Sequence, residues 1–134
     1  FIGTGYEMES ETAHETVLIK AEGNVVKRVV IQKPDTECYH QSGWDIKVIH
    51  EDGQEEYYEV KTHTTTSCVK NQLHISNEQM KLAAQMREHY IIIMPYYDRM
   101  GKAVIGHSAY PDPIALLGDG TLRNLTDGFL WGVA

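Results

Sequence analysis

The sequence has few cysteines, few basic residues and no long apolar stretch, and each shortage excludes a class of protein. Cys38 and Cys68 form no C-x-x-C pair and are too few for the disulfide framework of a small secreted domain. The most apolar stretch, YIIIMPYY, is far shorter than the about 20 residues of a membrane-spanning helix. The first residues show no signal-peptide pattern. We therefore expect an intracellular protein, cytoplasmic or nuclear, with no membrane partner.

Basic residues are outnumbered by acidic ones, because 12 Lys and Arg face 19 Asp and Glu, for a net charge of −7. Nonspecific binding of nucleic acid is driven largely by Lys and Arg on phosphates. The chain therefore has too few basic residues for a strong grip of its own. A role on nucleic acid would need a local basic patch, metal ions or a partner domain.

The length of 134 residues is that of one ordinary domain, so we expect a single domain over residues 1–134. The first residue is Phe rather than Met. We therefore expect the chain to be a fragment of a larger protein, whose other domains are candidate partners.

Hydrophobic patterning predicts six elements in the order helix, three strands, helix, strand. Residues 9–22 read as a helix because Ala13, Val17 and Ala21 form one stripe at four-residue steps. Ser76 and Gln79 read as a capping box that starts the second helix. The predicted elements are helix 9–22, strands 25–32, 44–49 and 55–62, helix 76–88 and strand 90–97, with a further strand suggested at 102–110. This order predicts an α/β fold with a mixed central sheet flanked by helices.

The hairpin of strands 44–49 and 55–62 carries the most informative pattern, and its register depends on the turn. A two-residue Asp52-Gly53 turn would put Asp45 opposite Val60, whereas a three-residue loop ending at Gly53 would put Asp45 opposite Glu59. The three-residue loop gathers the apolar residues on one face and the charged residues on the other, so we adopt it. The apolar face is then Trp44, Ile46, Val48, Tyr58 and Val60, and the charged face is Asp45, Lys47, Glu59 and Lys61.

Two carboxylates on adjacent strands repel each other unless a proton or a cation lies between them. Mg²⁺ takes oxygen ligands, often one or two carboxylates with water and substrate phosphate. Lys61 on the same face could orient a water or neutralise charge on a phosphate. Asp45, Glu59 and Lys61 thus suggest metal-assisted phosphodiester hydrolysis. The alternative is an exposed charged face on which Lys61 and Lys47 merely neutralise the two acids.

Four motifs in order resemble the PD-(D/E)XK, or restriction-endonuclease-like, nuclease superfamily. They look most like its branch at the C-terminus of NO VEIN-type and helicase-associated proteins, which reads roughly G-[YF]-D-[IL], Y-[IV]-E-V-K-T, [FL]-x-[IL]-S-x-x-E, helix, Y. The matching segments are Gly43-Trp44-Asp45-Ile46, Tyr57-Tyr58-Glu59-Val60-Lys61-Thr62, Ile75-Ser76-x-Glu78 and Tyr90. The resemblance covers about residues 9–97, and Glu78 stands one residue earlier than the pattern has it. Residues 98–134 form a C-terminal extension outside it.

This resemblance implies a restriction-endonuclease-like α-β-β-β-α-β core and a metal site. By it, Asp45 and Glu59 are metal ligands, the Val60 carbonyl is an additional ligand and Lys61 is the catalytic lysine. The superfamily often has an acidic residue on its first helix near the metals, and Glu15 fits that place. Glu15 also completes a second capping box with Thr12, which would account for this residue without any catalytic role.

Four further residues are candidates for contact with the substrate. His63 shares the face of Lys61 if the strand continues, and Lys70 and Gln72 lie in the following polar segment, where they could contact phosphates or solvent alone. Ser76 opens a helix whose N-terminal N–H groups favour anions, although capping explains it equally well.

Together these residues predict a Mg²⁺- or Mn²⁺-dependent endonuclease acting on nucleic acid, with DNA favoured over RNA. The alternative is a catalytically silent nuclease-fold module that binds nucleic acid or protein within a larger protein, since a fold alone does not establish function. Whether the domain acts as a monomer or a homodimer is left open by the sequence.

Overall fold

The computed structural model describes residues 5–22, 25–33, 43–61, 72–98, 100–124 and 130–133. These residues form a mixed α/β fold with a seven-stranded sheet, a three-stranded sheet and two helices. The strands are β1 (Glu7–Glu11), β2 (Glu15–Glu22), β3 (Val25–Gln32), β4 (Ile46–Ile49), β5 (Glu55–Val60), β6 (Gln72–His74), β7 (Tyr90–Tyr97), β8 (Val104–Pro111), β9 (Leu122–Asn124) and β10 (Leu130–Val133). The helices are α1 (Asn77–Met86), continued by a 3₁₀ turn at Arg87–His89, and α2 (Pro113–Asp119).

The large sheet has the strand order β1-β2-β3-β4-β5-β7-β8. Strands β1 to β5 form an antiparallel meander, and α1 carries the chain over to β7, which pairs with β5 in parallel. The predicted sequence of three strands, helix and strand is present. Strand β8 returns antiparallel to β7 and forms one edge of the sheet.

The helix predicted over residues 9–22 is wrong, because this segment forms β1 and β2. The proposed helical stripe left out Leu18, which is buried in the core of the structure at 3% exposure. All eight residues of β2 pair with β3, the next strand along the chain, so hydrogen bonds between strands replace those of a helix. The α-β-β-β-α-β core expected from the resemblance therefore lacks its first helix.

The β4–β5 hairpin has the predicted three-residue loop. The strand pairing runs from Ile46 opposite Tyr58 to Ile49 opposite Glu55. His50 N–H then donates to Gln54 O, and Gly53 N–H donates to His50 O, so residues 51–53 form the loop. Gly53 adopts a φ of 83°, the left-handed conformation that closes such a loop. The register predicted from the two faces is thus confirmed.

The large sheet buries apolar side chains on both faces. One face packs Leu18, Val29 and Val48 with partly buried neighbours that include Ile46 and Tyr58, as predicted for this side of the hairpin. The other face carries β7 residues and both helices in a larger cluster of Ile75, Ala83, Tyr90, Ile92, Met94 and Leu122. The charged face of the hairpin therefore lies on the side that the helices cover.

Trp44 does not join the apolar face predicted for it. Its ring packs edge-on to Tyr57 at 5.9 Å, and the Lys47 ammonium lies 5.2 Å from the ring centroid. Both partners belong to the opposite face. The reason is that β4 begins only at Ile46, so strict alternation does not extend back to Trp44.

Helix α1 begins with the predicted capping box. Ser76 Oγ accepts from Gln79 N–H at 3.1 Å, and Gln79 Oε1 accepts from Ser76 N–H at 2.9 Å. Gly43 lies against this first turn: a Cβ placed on it would be 2.7 Å from the Glu78 carbonyl oxygen, and its φ is 78°. The glycine thus lets the chain before Asp45 approach the helix closely.

The predicted strand at 102–110 is present as β8, but the elements after it were not predicted. Asp112 caps α2 by accepting from Ala115 N–H at 3.2 Å, and Pro113 occupies the first turn. These start signals were present in the sequence, as was the closing Gly120. Among the described residues, no helix is long and apolar enough to cross a bilayer.

Candidate functional site

Asp45 and Glu59 lie side by side at the point where the β4–β5 hairpin meets helix α1. Asp45 immediately precedes β4, and its Oδ2 accepts from Val60 N–H at 2.8 Å. Glu59 is the penultimate residue of β5 and is only 4% exposed. The hairpin therefore places one carboxylate against the backbone and buries the other beside it.

Burial is the main influence on the charge of Glu59. Desolvation raises the pKa of Glu59 to about 7, against the opposing pull of the Lys61 ammonium, and the neighbouring Asp45 carboxylate adds to the rise. Near neutral pH this carboxyl group is thus poised between its protonated and ionised forms. A bound cation would favour the ionised form.

Lys61 follows β5 and turns its ammonium into the site. Its Nζ lies 3.1 Å from Glu59 Oε1 and donates to Gln79 Oε1 at 3.0 Å, and the side chain is 18% exposed. Its own backbone N–H donates to Ile93 O at 2.8 Å, which ties the residue to β7. The alternative of an exposed charged face is wrong in its exposure, since Glu59 is buried, and for Lys47, which contacts Trp44. The ion pair between Lys61 and Glu59 that it expected is present.

Gln79 is a site residue that the sequence analysis assigned only to helix capping. Its Nε2 donates to Glu59 Oε1 at 2.6 Å, while its Oε1 accepts from both Lys61 Nζ and Ser76 N–H. One amide therefore connects the helix start to the acid and the lysine. The signal was its place three residues after Ser76, the position of the acidic residue in the family pattern.

Glu78, the residue matched to that position by resemblance, lies elsewhere. Its side chain is 45% exposed and forms an ion pair with Lys81 at 3.5 Å on the surface of α1. Glu78 stands one residue before the acidic position of the family pattern, and this offset places its side chain on the surface of the helix. Gln79, not Glu78, faces the carboxylates.

Tyr90 forms the floor of the site from β7. It is 1% exposed, and its hydroxyl donates to Gly43 O at 2.8 Å. Burial raises the pKa of Tyr90 far above its usual range, and Glu59 and Asp45 raise it further. The phenol therefore stays neutral and anchors the chain that leads into Asp45.

Glu15 lies in the same row across the sheet, two strands away from Asp45. It pairs with Gln32 on β3, and Gln32 N–H donates to Asp45 O at 3.0 Å. Two strand spacings of about 4.8 Å separate Glu15 from Asp45. The Glu15 backbone N–H donates to Thr12 Oγ1 at 3.1 Å in the β1–β2 turn, so Thr12 stabilises a turn and does not cap a helix. The expected placement of Glu15 on a first helix is wrong.

The remaining candidates are placed only in part. His63 and Lys70 lie outside the described residues, and of Gln72 only the backbone, paired with Gly132 in the small sheet, is described. Ser76 caps α1 as expected. Val60 contributes its N–H to Asp45, and a role for its carbonyl as a metal ligand stays a prediction.

Asp45 and Glu59 present two neighbouring carboxylates, the type of group that could serve as ligands of a hard divalent ion such as Mg²⁺ or Mn²⁺. Within the described ranges, no group of three or more His, Cys, Asp and Glu side chains is arranged to hold a metal ion. Hard divalent ions commonly bind one or two protein carboxylates and complete their ligand set with waters and phosphate oxygens. Asp45 and Glu59 would supply the two carboxylates.

The chain matches a known family model. Residues 6–104 match the family model described as Protein NO VEIN, C-terminal. No curated protein matches the chain, and no solved structure does. The matched residues span β1 to the start of β8 and include every residue of the site described above.

Proposed function

The chain belongs to the NO VEIN C-terminal family, and from that premise and the geometry of Asp45, Glu59 and Lys61 we propose a divalent-metal-dependent nuclease domain of the PD-(D/E)XK superfamily. The observation that carries the proposal is the buried Glu59 held between an acid and a lysine. An acid and a lysine that merely neutralise each other can do so on the surface, so the burial of Glu59 favours a functional site over a surface ion pair. The resemblance of the motifs supplies the reaction, hydrolysis of phosphodiester bonds in nucleic acid.

The topology supports the same reading in part. The three-stranded meander β3–β5, the helix α1 and the parallel strand β7 follow in the order that the resemblance implies. A β-hairpin occupies the place of the first helix. The site lies where β5 ends beside the N-terminus of α1, with the Asp45 and Glu59 carboxylates as the metal ligands.

Each of the four site residues has a role in the proposed reaction. Asp45 and Glu59 would hold Mg²⁺ or Mn²⁺, which when bound lowers the pKa of a water and polarises a phosphoryl oxygen. Lys61, held by Gln79, places its ammonium where it can orient that water or stabilise charge on the phosphate. Gln79 is a positioning residue, because it holds both Glu59 and Lys61.

The test is cleavage of plasmid DNA, single-stranded DNA and RNA with Mg²⁺, Mn²⁺ or EDTA. We expect metal-dependent cleavage that falls roughly 100-fold or more in Asp45→Asn, Glu59→Gln and Lys61→Ala, the size typical of lost catalytic groups. Lys47→Ala is the matched control for Lys61, because Lys47 lies on the same hairpin face but contacts Trp44. Circular dichroism would show that each variant folds.

The acidic composition counts against a free-standing nuclease, and the competing function is a catalytically silent module that binds nucleic acid or protein within a larger chain. Absence of cleavage on all three substrates, together with no Mn²⁺ binding by calorimetry, would reject the nuclease. Mn²⁺ binding that Glu59→Gln leaves unchanged would also contradict the proposed ligands.

A further inference from the structure

The β7–β8 hairpin presents large apolar side chains to solvent beyond the end of β5. Tyr96 and Tyr97 are each 43% exposed, and Met100, Val104 and Ile105 are more exposed still. The parallel register pairs Val60, the last residue of β5, with Ile93, so the tyrosines lie three and four residues further along β7. The hairpin therefore projects past the site at the end of the sheet where Lys61 emerges.

Tyr96 shares its sheet face with Glu59. The register pairs Glu59 with Ile92, and side chains alternate along a strand, so Ile92, Met94 and Tyr96 point to one side. Four residues of strand separate Ile92 from Tyr96, or about 13 Å at about 3.3 Å per residue. This is a distance that a short stretch of extended nucleic-acid strand can bridge.

The ring of Tyr96 is held in one orientation. Tyr96 pairs with Gly106 on β8, and a Cβ placed on Gly106 would be 3.8 Å from Tyr96 Cδ2, so the ring lies over the glycine. Its hydroxyl is hydrogen-bonded to the Ser108 hydroxyl. The ring is thus supported on one side and tied at its tip, while much of it stays open to solvent.

We propose that Tyr96 is a stacking platform for an unpaired base of a single-stranded nucleic acid whose backbone passes Asp45 and Glu59. The inference rests on the proposed function and gives its substrate class. Stacking on an aromatic ring needs a base with a free face, which a base inside a duplex lacks. Stacking is a contact with the base and not with the phosphates, so it adds affinity that a chain with a net charge of −7 does not obtain from its basic residues.

The test measures binding without cleavage, by fluorescence anisotropy of labelled oligo(dT) and of a duplex of equal length in EDTA and in Ca²⁺. We expect oligo(dT) to bind more tightly than duplex. Tyr96→Ala should weaken oligo(dT) binding roughly 5- to 150-fold, the loss of one stacked base. Tyr96→Phe, which keeps the ring, should bind within about threefold of the parent chain.

Tyr97→Ala is the matched control, because Tyr97 adjoins Tyr96 and is equally exposed, but it lies past a register shift and pairs with Val104 instead of the glycine that supports the Tyr96 ring. Equal losses in Tyr96→Ala and Tyr97→Ala, or equal binding of duplex and oligo(dT), would overturn the inference. So would a protein that binds neither and instead self-associates through the hairpin, measured by sedimentation.

The outcome separates this inference from the nuclease itself. Cleavage that depends on Asp45 but not on Tyr96 would leave the nuclease standing and remove the platform. Tyr96-dependent binding of oligo(dT) with no cleavage would support the platform within a silent binding module.

Discussion

Glu59 belongs to the motif that the sequence shows, and its contacts in the folded chain decide how its carboxyl group behaves. Its carboxylate is buried beside a second acid, yet a lysine and an amide reach the same oxygen, Oε1. Burial beside a second acid disfavours the ionised form of Glu59 even with Lys61 as its counter-ion, so uptake of a proton or binding of a further cation is favoured. Both responses can be measured.

The stability of the metal-free protein should depend on the ionisation of Glu59. Its pKa is about 7 in the folded chain against an ordinary value of 4.5, so the folded state holds the proton more tightly. The stabilisation is fully present below the ordinary pKa and is lost as pH rises through about 7. We expect the free energy of unfolding in urea to fall between pH 5 and pH 8, and Glu59→Gln to reduce that fall.

Glu78→Gln is the control for this prediction, because Glu78 is an exposed acid on the same helix that Glu59 faces. It should leave the pH dependence as it is in the parent chain. Mn²⁺ should bind more tightly at pH 8 than at pH 6, since the ion competes with the proton on Glu59. Parallel pH profiles in the parent chain and Glu59→Gln would show that Glu59 has no raised pKa.

At the scale of elements, the contact between Gly43 and the first turn of α1 places Asp45 beside the capping box. Tyr90 fixes the same segment from β7 through its bond to Gly43 O. The approach needs both a left-handed backbone and the absence of a Cβ. Helix, strand and hairpin thus meet at one glycine.

Gly43→Ala should lower the free energy of unfolding by at least about 2 kcal/mol, because it adds backbone strain to a clash with the Glu78 carbonyl. Gly53→Ala is the matched control: Gly53 has a similar φ of 83°, but a Cβ placed on it meets nothing within 4 Å. It should cost only about 1 kcal/mol, the strain alone. Equal losses in urea unfolding would mean that the close approach contributes nothing.

At the scale of the whole molecule, one sheet carries two apolar clusters on opposite faces. Val29 belongs to one cluster and Ile92 to the other, and both are fully buried. The shared strands β4 and β5 connect the two sides, since Ile46 and Tyr57 pack against different clusters. The domain should therefore unfold as one unit.

Val29→Ala should cost about 2 kcal/mol and Ile92→Val about 1 kcal/mol, the values for small losses of buried methyl groups. The double variant should show the sum within about 0.5 kcal/mol and a single transition by both circular dichroism and tryptophan fluorescence. Val104→Ala, at an exposed position, is the control and should change little. Two separate transitions would show that the clusters are independent.

Much of the site was predictable because its signals are local. The alternation of the hairpin and the left-handed Gly53 were enough for the register that brings Asp45 to Glu59, and Ser76 with Gln79 marked the start of α1. Strands β1 and β2 were missed, because Ala13, Val17 and Ala21 were read at helical spacing, whereas β1 pairs with β2 and β2 with β3. Local propensity and spacing are weak guides where a neighbouring strand supplies the hydrogen bonds.

By itself, the sequence determined the identity and order of Asp45, Glu59 and Lys61, the hairpin register and the capped helix, because each depends on residues a few positions apart. Only the tertiary structure decided that Glu59 is buried, that Gln79 and not Glu78 joins the site, and that Glu15 stays two strands away. These outcomes depend on which distant elements pack together. The physical reason is that desolvation and side-chain contact are properties of the packed sheet and helix, which no short stretch of chain contains.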